Sequence, residues 1–165
     1  MPLPSTLPRF VRGAACALAL AFAASPVHAQ RGGGPFAGLT GTWSGSGVIA
    51  LASGANERIR CRAAYDATDS AHLLLNLRCA SDSYNFDLRA DVHSQGGALT
   101  GIWSEASRGV TGNVSGSASP GHVQAQVTGP SFSASLSMST RGNQQSVTIR
   151  SQGTDVQQVS ITLKR

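Results

Sequence analysis

The chain is poor in charge and in aromatic side chains. Asp, Glu, Lys and Arg make up 13% of it, Phe, Trp and Tyr only 5%, and Lys164 is its one lysine. Proteins that grip nucleic acid displace counterions with clustered cations. Dispersed arginines and a single lysine do not make such a stripe, so no nucleic-acid partner is expected. Long apolar runs are also missing: nothing after the N-terminal segment approaches the ~20 apolar residues of a membrane-spanning helix. Cysteine is sparse, with Cys16, Cys61 and Cys79 the only three. A two-cysteine metal site lacks its other ligands, because the nearest histidine, His72, has no partner at zinc-finger spacing.

Motifs of catalysis are absent too. No G-x-S-x-G elbow occurs among the many serines. Gly45-Ser46-Gly47-Val48-Ile49-Ala50 fits a dinucleotide fingerprint in letters only, since it reads as a strand and no helix follows. Glu105 is a solitary carboxylate with no partner at glycosidase-like spacing. The expectation is a protein that is not an enzyme and carries no cofactor.

The first thirty residues are of a different kind. Arg9 and Arg12 form a basic segment, Gly13 to Ala24 a short apolar run, and Val27-His28-Ala29 a small-x-small cleavage site. This is a secretory signal peptide over residues 1–29, too short for a span. Cys16 precedes most of the apolar run, where a lipidation cysteine would follow it, and reads as part of the removed segment. The remaining chain, Gln30 to Arg165, carries eleven basic and eight acidic residues, a formal charge of +3. A periplasmic or secreted location follows. There, Cys61 and Cys79 suggest a disulfide, with two buried thiols as the alternative.

Residues 30–40 begin QRGGGP, the composition of a flexible linker. From Gly41 to Arg165, one domain, period-two alternation is broken roughly every eleven residues by Gly, Pro, Ser, Asn and Asp. Ten strands are predicted, at 41–51, 57–66, 71–80, 84–93, 98–105, 109–117, 122–128, 131–139, 144–151 and 156–164. Their short connections require antiparallel neighbours. The expected fold is therefore an all-β up-and-down meander, closed into a barrel to remove its edges, with an open β-sandwich as the alternative. A membrane barrel is disfavoured by missing aromatic girdles and by the Leu-Lys-Arg ending.

Alternation puts Trp43, Ile59, Cys61, Leu77, Cys79, Leu88 and Trp103 on one apolar face. Both tryptophans sit in the same Leu-Thr-Gly-x-Trp-Ser setting, and glycines on that face leave room for an indole or for a cavity. Gly41-Thr42-Trp43 resembles the Gly-x-Trp heading the first strand of calycins: lipocalins, avidins and fatty-acid-binding proteins. The resemblance implies a calycin-like barrel in which Trp43 seals one end beneath a basic side chain from the last strand, Lys164 or Arg165. Gly97 to Ala106 also resembles an avidin strand, without avidin's ligand-contacting set, and the shared setting makes Trp103 a second barrel-closing candidate. As a whole the chain is similar to a family of exported Gram-negative proteins carrying ERIRCRxxY, here Glu57 to Tyr65, and LRCASDSY, here Leu77 to Tyr84. That similarity implies export and the cysteine pair, and no chemistry.

On the polar face, Arg58, Arg60 and Arg62 alternate along strand two, with Arg78 and Arg89 on its neighbours. This row is a candidate anion-binding surface. The alternative is a solvated face with cross-strand pairs, Arg58 with Asp82 and Arg78 with Asp87. His72 falls opposite His93 if strands three and four pair around Asp82-Ser83. A third ligand is not evident, so no metal site is expected. The functional expectation is a binder of a small apolar or amphipathic ligand, or else a closed-core module that meets a protein or glycan through its exterior. Export itself is testable: the N-terminal sequence of the exported protein is expected to begin at Gln30. A chain retaining Met1, or lipidated at Cys16, would contradict the reading.

Overall fold

The computed structural model describes residues 33–165; the signal segment expected over residues 1–29 lies outside the described residues. Ten strands follow one another: β1 (Gly41–Leu51), β2 (Asn56–Ala67), β3 (His72–Ala80), β4 (Asn85–Gln95), β5 (Ala98–Glu105), β6 (Val110–Ser119), β7 (His122–Thr128), β8 (Ser133–Arg141), β9 (Gln144–Gln152) and β10 (Val156–Lys164). Each pairs antiparallel with the next, and β1 pairs with β10, so the sheet closes into a barrel and the sandwich alternative is excluded. No helix of the described residues is long and apolar enough to cross a membrane.

The tight turns that closure needs are written in glycine. Gly96 and Gly97 adopt φ of 57° and 86° between β4 and β5. Two successive positive φ values make a type I′ turn, whose twist matches that of the flanking strands. Within the wall, Gly112 lies opposite Trp103, and a Cβ there would come within 2.6 Å of the indole nitrogen. The predicted trade of a glycine for a neighbouring indole is realised at this pair.

The alternation sorts the residues as expected. Trp43, Ile49, Ile59, Ala63, Leu99 and Leu163 are buried inside, while serines, threonines, glutamines and arginines dominate the outer wall. A membrane-spanning barrel has the reverse arrangement. Several strand ends shift by one or two residues, and one segment differs in kind. Residues 35–39, expected as linker, form turns that carry Phe36 and Leu39 into the core, 1% and 2% exposed. Two apolar side chains in a glycine-rich segment are enough to dock it.

Cys61 and Cys79 are direct partners across β2 and β3 and are bonded, with Cα atoms 4.1 Å apart. Their register centres the hairpin on Ser70, and Asp69 Oδ1 fixes the turn by accepting the amides of Ala71 and His72 at 2.7 and 2.8 Å. Such a bond fits an oxidising compartment.

A carboxylate anchors the connection after β5. Glu105 is 4% exposed and accepts the amides of Asp87 at 3.0 Å, Arg108 at 2.8 Å and Ser107 at 3.3 Å, with the Ser107 hydroxyl. Burial pushes its pKa up, but these donors outweigh burial and bring it down to about 2. The sequence showed a lone acid; the structure shows a cap with no exposed acid–base capacity.

Two outcomes are expected of this architecture. Cys79→Ser, or reduction, lowers the melting temperature by an amount corresponding to ~3 kcal/mol while leaving the far-UV spectrum intact. Free thiols at both cysteines in exported protein would contradict the pairing. For Glu105, the folded-state pKa lies below that of the unfolded chain. Its contribution is therefore complete above the ordinary carboxylate range and is lost as pH falls toward about 2. Glu105→Gln should cost about 1–3 kcal/mol at neutral pH and flatten that acid limb in thermal melts. Parallel pH curves for the two proteins would overturn it.

Candidate functional site

One end of the barrel is sealed. Trp43 is wholly buried, donates its indole N–H to the Leu39 carbonyl at 2.7 Å, and lies under the Arg165 guanidinium, 4.8 Å from the ring centroid. Arg165 also donates to the carbonyls of Gly38 and Thr40 at 2.8 and 3.4 Å, tying the C-terminus over the plug. Of the two basic residues proposed for this role the structure selects Arg165; Lys164 faces outward opposite Ser44. Above the plug, the Tyr65 hydroxyl donates to Gln145 Oε1 at 2.7 Å, and Gln145 Nε2 donates to Thr140 Oγ1 at 3.2 Å. Burial pushes the Tyr65 pKa up, with the Gln145 bond opposing, so the phenol stays neutral.

The other end is built differently. Trp103, read from the sequence as a second closing residue, stands at this opposite end. It donates to the Thr128 carbonyl at 3.0 Å and packs edge-on to Phe132, ring centroids 5.4 Å apart. Nearby, Tyr84 and Phe86 lie parallel at 6.2 Å, and the Arg108 guanidinium sits 5.4 Å from the Phe86 ring. These residues and the connections beside them form a rim of rings around one cation.

Between the two ends the inner wall is apolar, and several of its side chains are only half-buried. Leu75, Leu77, Leu88, Val127, Leu136 and Ile149 all point inward by register, yet all remain half-buried. Ten strands make a wider ring than eight, and Ala90 and Ala125 are small inward side chains on it. The described residues leave no buried side-chain nitrogen or oxygen without a partner.

The arginine row stands on the outside. Arg58, Arg60, Arg62, Arg78 and Arg89 are all exposed, with Arg62 directly opposite Arg78. Arg78 pairs with Asp87 at 3.2 Å as expected. Among the described residues no ion pair joins Arg58 to Asp82; Ser83 next to it instead donates its amide to Glu57 at 2.6 Å. Two open depressions of about 590 and 420 Å³ lie further round the outer wall, lined by Gln126, Ser135 and Arg150. The histidines do meet: the rings of His72 and His93 stack at 4.0 Å. Asp91 joins them, its Oδ1 lying 2.7 Å from His72 Nε2 and 3.4 Å from His93 Nε2. The sequence carried the signal for it, since Asp91 is two residues before His93 and so on the same face.

No family model matches the chain, and no curated protein matches it. Among solved structures it is similar to Rv2717c from M. tuberculosis, with a TM-score of 0.62 and 11% identity over 77% of this chain and 92% of that one. It also aligns with a redesigned β-barrel, mFAP1, bound to DFHBI, at a TM-score of 0.45 and 12% identity over 77% and 94% of the two chains. At such identities the likeness is one of fold: a closed antiparallel β-barrel.

Proposed function

We propose that the protein is an exported, non-catalytic binder of a small apolar or amphipathic molecule, working in the periplasm or outside the cell. The observation that supports this most is the half-exposure of Leu75, Leu77, Leu88, Leu136 and Ile149 inside a closed wall. An apolar body in that space removes the wall from water at ~25 cal/mol per Å² of apolar surface. A polar end of the molecule would lie at the rim, beside Tyr84 and Arg108. The sealed floor of Trp43, Phe36 and Leu39 makes the lumen a cup with one entrance.

A second reading, an interaction module using its exterior, keeps one observation in its favour. Arg58, Arg60, Arg62 and Arg89 form no ion pair among the described residues, which leaves them free for a sulfated or phosphorylated glycan.

Titration with anilinonaphthalene sulfonate, whose fluorescence rises in apolar surroundings, separates the two. Saturable one-to-one enhancement is expected, weakened tenfold or more by Leu136→Trp, which fills the lumen, and unchanged by Arg60→Gln with Arg62→Gln. Dye binding that ignores Leu136→Trp would sink the lumen reading. Salt-sensitive retention on heparin lost in the double arginine variant would then favour the exterior.

A further inference from the structure

The strongest unassigned feature is on the outer wall at the sealed end. The β3–β4 register sets His72 opposite His93, and Asp91 follows two residues along the same face of β4. A cross-strand pair and its nearest same-face neighbour thus present two imidazoles and a carboxylate side by side. Their donor atoms all lie within 4.8 Å of one another.

The rings are also aimed. They stack at 4.0 Å with an interplanar angle of 14°, which turns both Nε2 atoms toward one carboxylate oxygen. The opposite nitrogen of His72 is engaged: Nδ1 lies 2.8 Å from Thr68 Oγ1. Thr68 belongs to the turn that Asp69 fixes through the amides of Ala71 and His72. A hydroxyl can accept from Nδ1–H or donate to bare Nδ1, so Thr68 supports either tautomer of His72. With Nδ1–H donating, the Nε2 lone pair is free for a metal, and the ring is held in place from behind, as the outer partners of metal-bound histidines do.

We propose that His72, Asp91 and His93 form a binding site for a borderline first-row divalent cation, zinc in the first instance, with water completing its coordination. Zinc bonds of ~2.0–2.2 Å in a tetrahedral arrangement place neighbouring donors about 3.3 Å apart. The His93–Asp91 separation already matches at 3.4 Å; metal binding must lengthen the 2.7 Å His72–Asp91 contact and turn one ring out of the stack, because one metal cannot lie in two near-parallel ring planes. Two nitrogens and one oxygen suit zinc, nickel or copper; calcium and magnesium require more oxygens. The half-buried His72 and Asp91 and the exposed His93 leave one side open for water. Arg89, next on the same face of β4, adds a positive charge that opposes a cation. The site lies on the outer wall and is independent of what the lumen holds.

Isothermal titration of zinc chloride into the chain, expressed without a histidine tag, tests this. One zinc per chain is expected, with affinity weakened tenfold or more by either Asp91→Asn or His93→Gln and unchanged by His122→Gln on β7. Cobalt(II) should give the intense visible bands of a four-coordinate site in the parent and lose them in His93→Gln. His93 is exposed, so that variant retains the fold, and circular dichroism checks it. No zinc uptake, uptake indifferent to Asp91 and His93, or equal loss in His122→Gln would each overturn the site.

Discussion

The ladder between β1 and β10, from Ser44 opposite Lys164 to Leu51 opposite Val156, turns ten strands into a wall without edges. Unpaired strand edges are templates for aggregation, and closure removes them. It also separates inside from outside, which gives the alternation its meaning: every second residue faces a lumen and the rest face water. The ladder needs close approach. Gly45 and Gly47 sit where a Cβ would fall about 2 Å from the carbonyls of Thr162 and Ser160 on β10.

The two ends of this wall differ. At the sealed end, large side chains converge: Trp43, Phe36, Leu39, Leu163 and Tyr65 fill the cross-section, and Arg165 covers the indole. An exposed guanidinium over an indole face is worth about 0.5–1 kcal/mol, and it ties the last residue of the chain to the first turn. Toward the other end the inner residues are aliphatic, with Ile49 and Ile59 fully buried and Trp103, Phe132, Tyr84 and Phe86 at the rim. Polar groups there are spent on the frame: Glu105 on the connection after β5, Trp103 on the Thr128 carbonyl. On the proposed reading, an apolar ligand would meet this wall, with Arg108 and Tyr84 at the rim.

Much of this was legible in the sequence because period-two alternation is a local signal. Ten strands, their register about Ser70 and the partnership of Cys61 with Cys79 all follow from counting residues between turns. Closure was inferred rather than read, since β1 and β10 meet only in space. Phe36 and Leu39 were missed because QRGGGP dominates their surroundings, although two apolar residues in a polar stretch were the clue. Glu105 could not be read as a cap, for its partners are backbone amides, and amides carry no sequence signature. Asp91 was legible but unused: pairing His72 with His93 brings it along automatically. The choice of Arg165 over Lys164 depends on which of two adjacent residues ends the strand, a one-residue matter that alternation near a terminus does not fix.

The central claim is that the lumen is hollow and apolar above a floor of Trp43. A crystal structure determined under xenon pressure tests this directly, because xenon enters dry apolar cavities and ignores polar ones. The account predicts xenon inside the barrel, in contact with Leu88, Leu136 and Ile149 and absent from the space around Tyr65 and Gln145. A lumen closed by side chains, with xenon nowhere inside the wall, would contradict it.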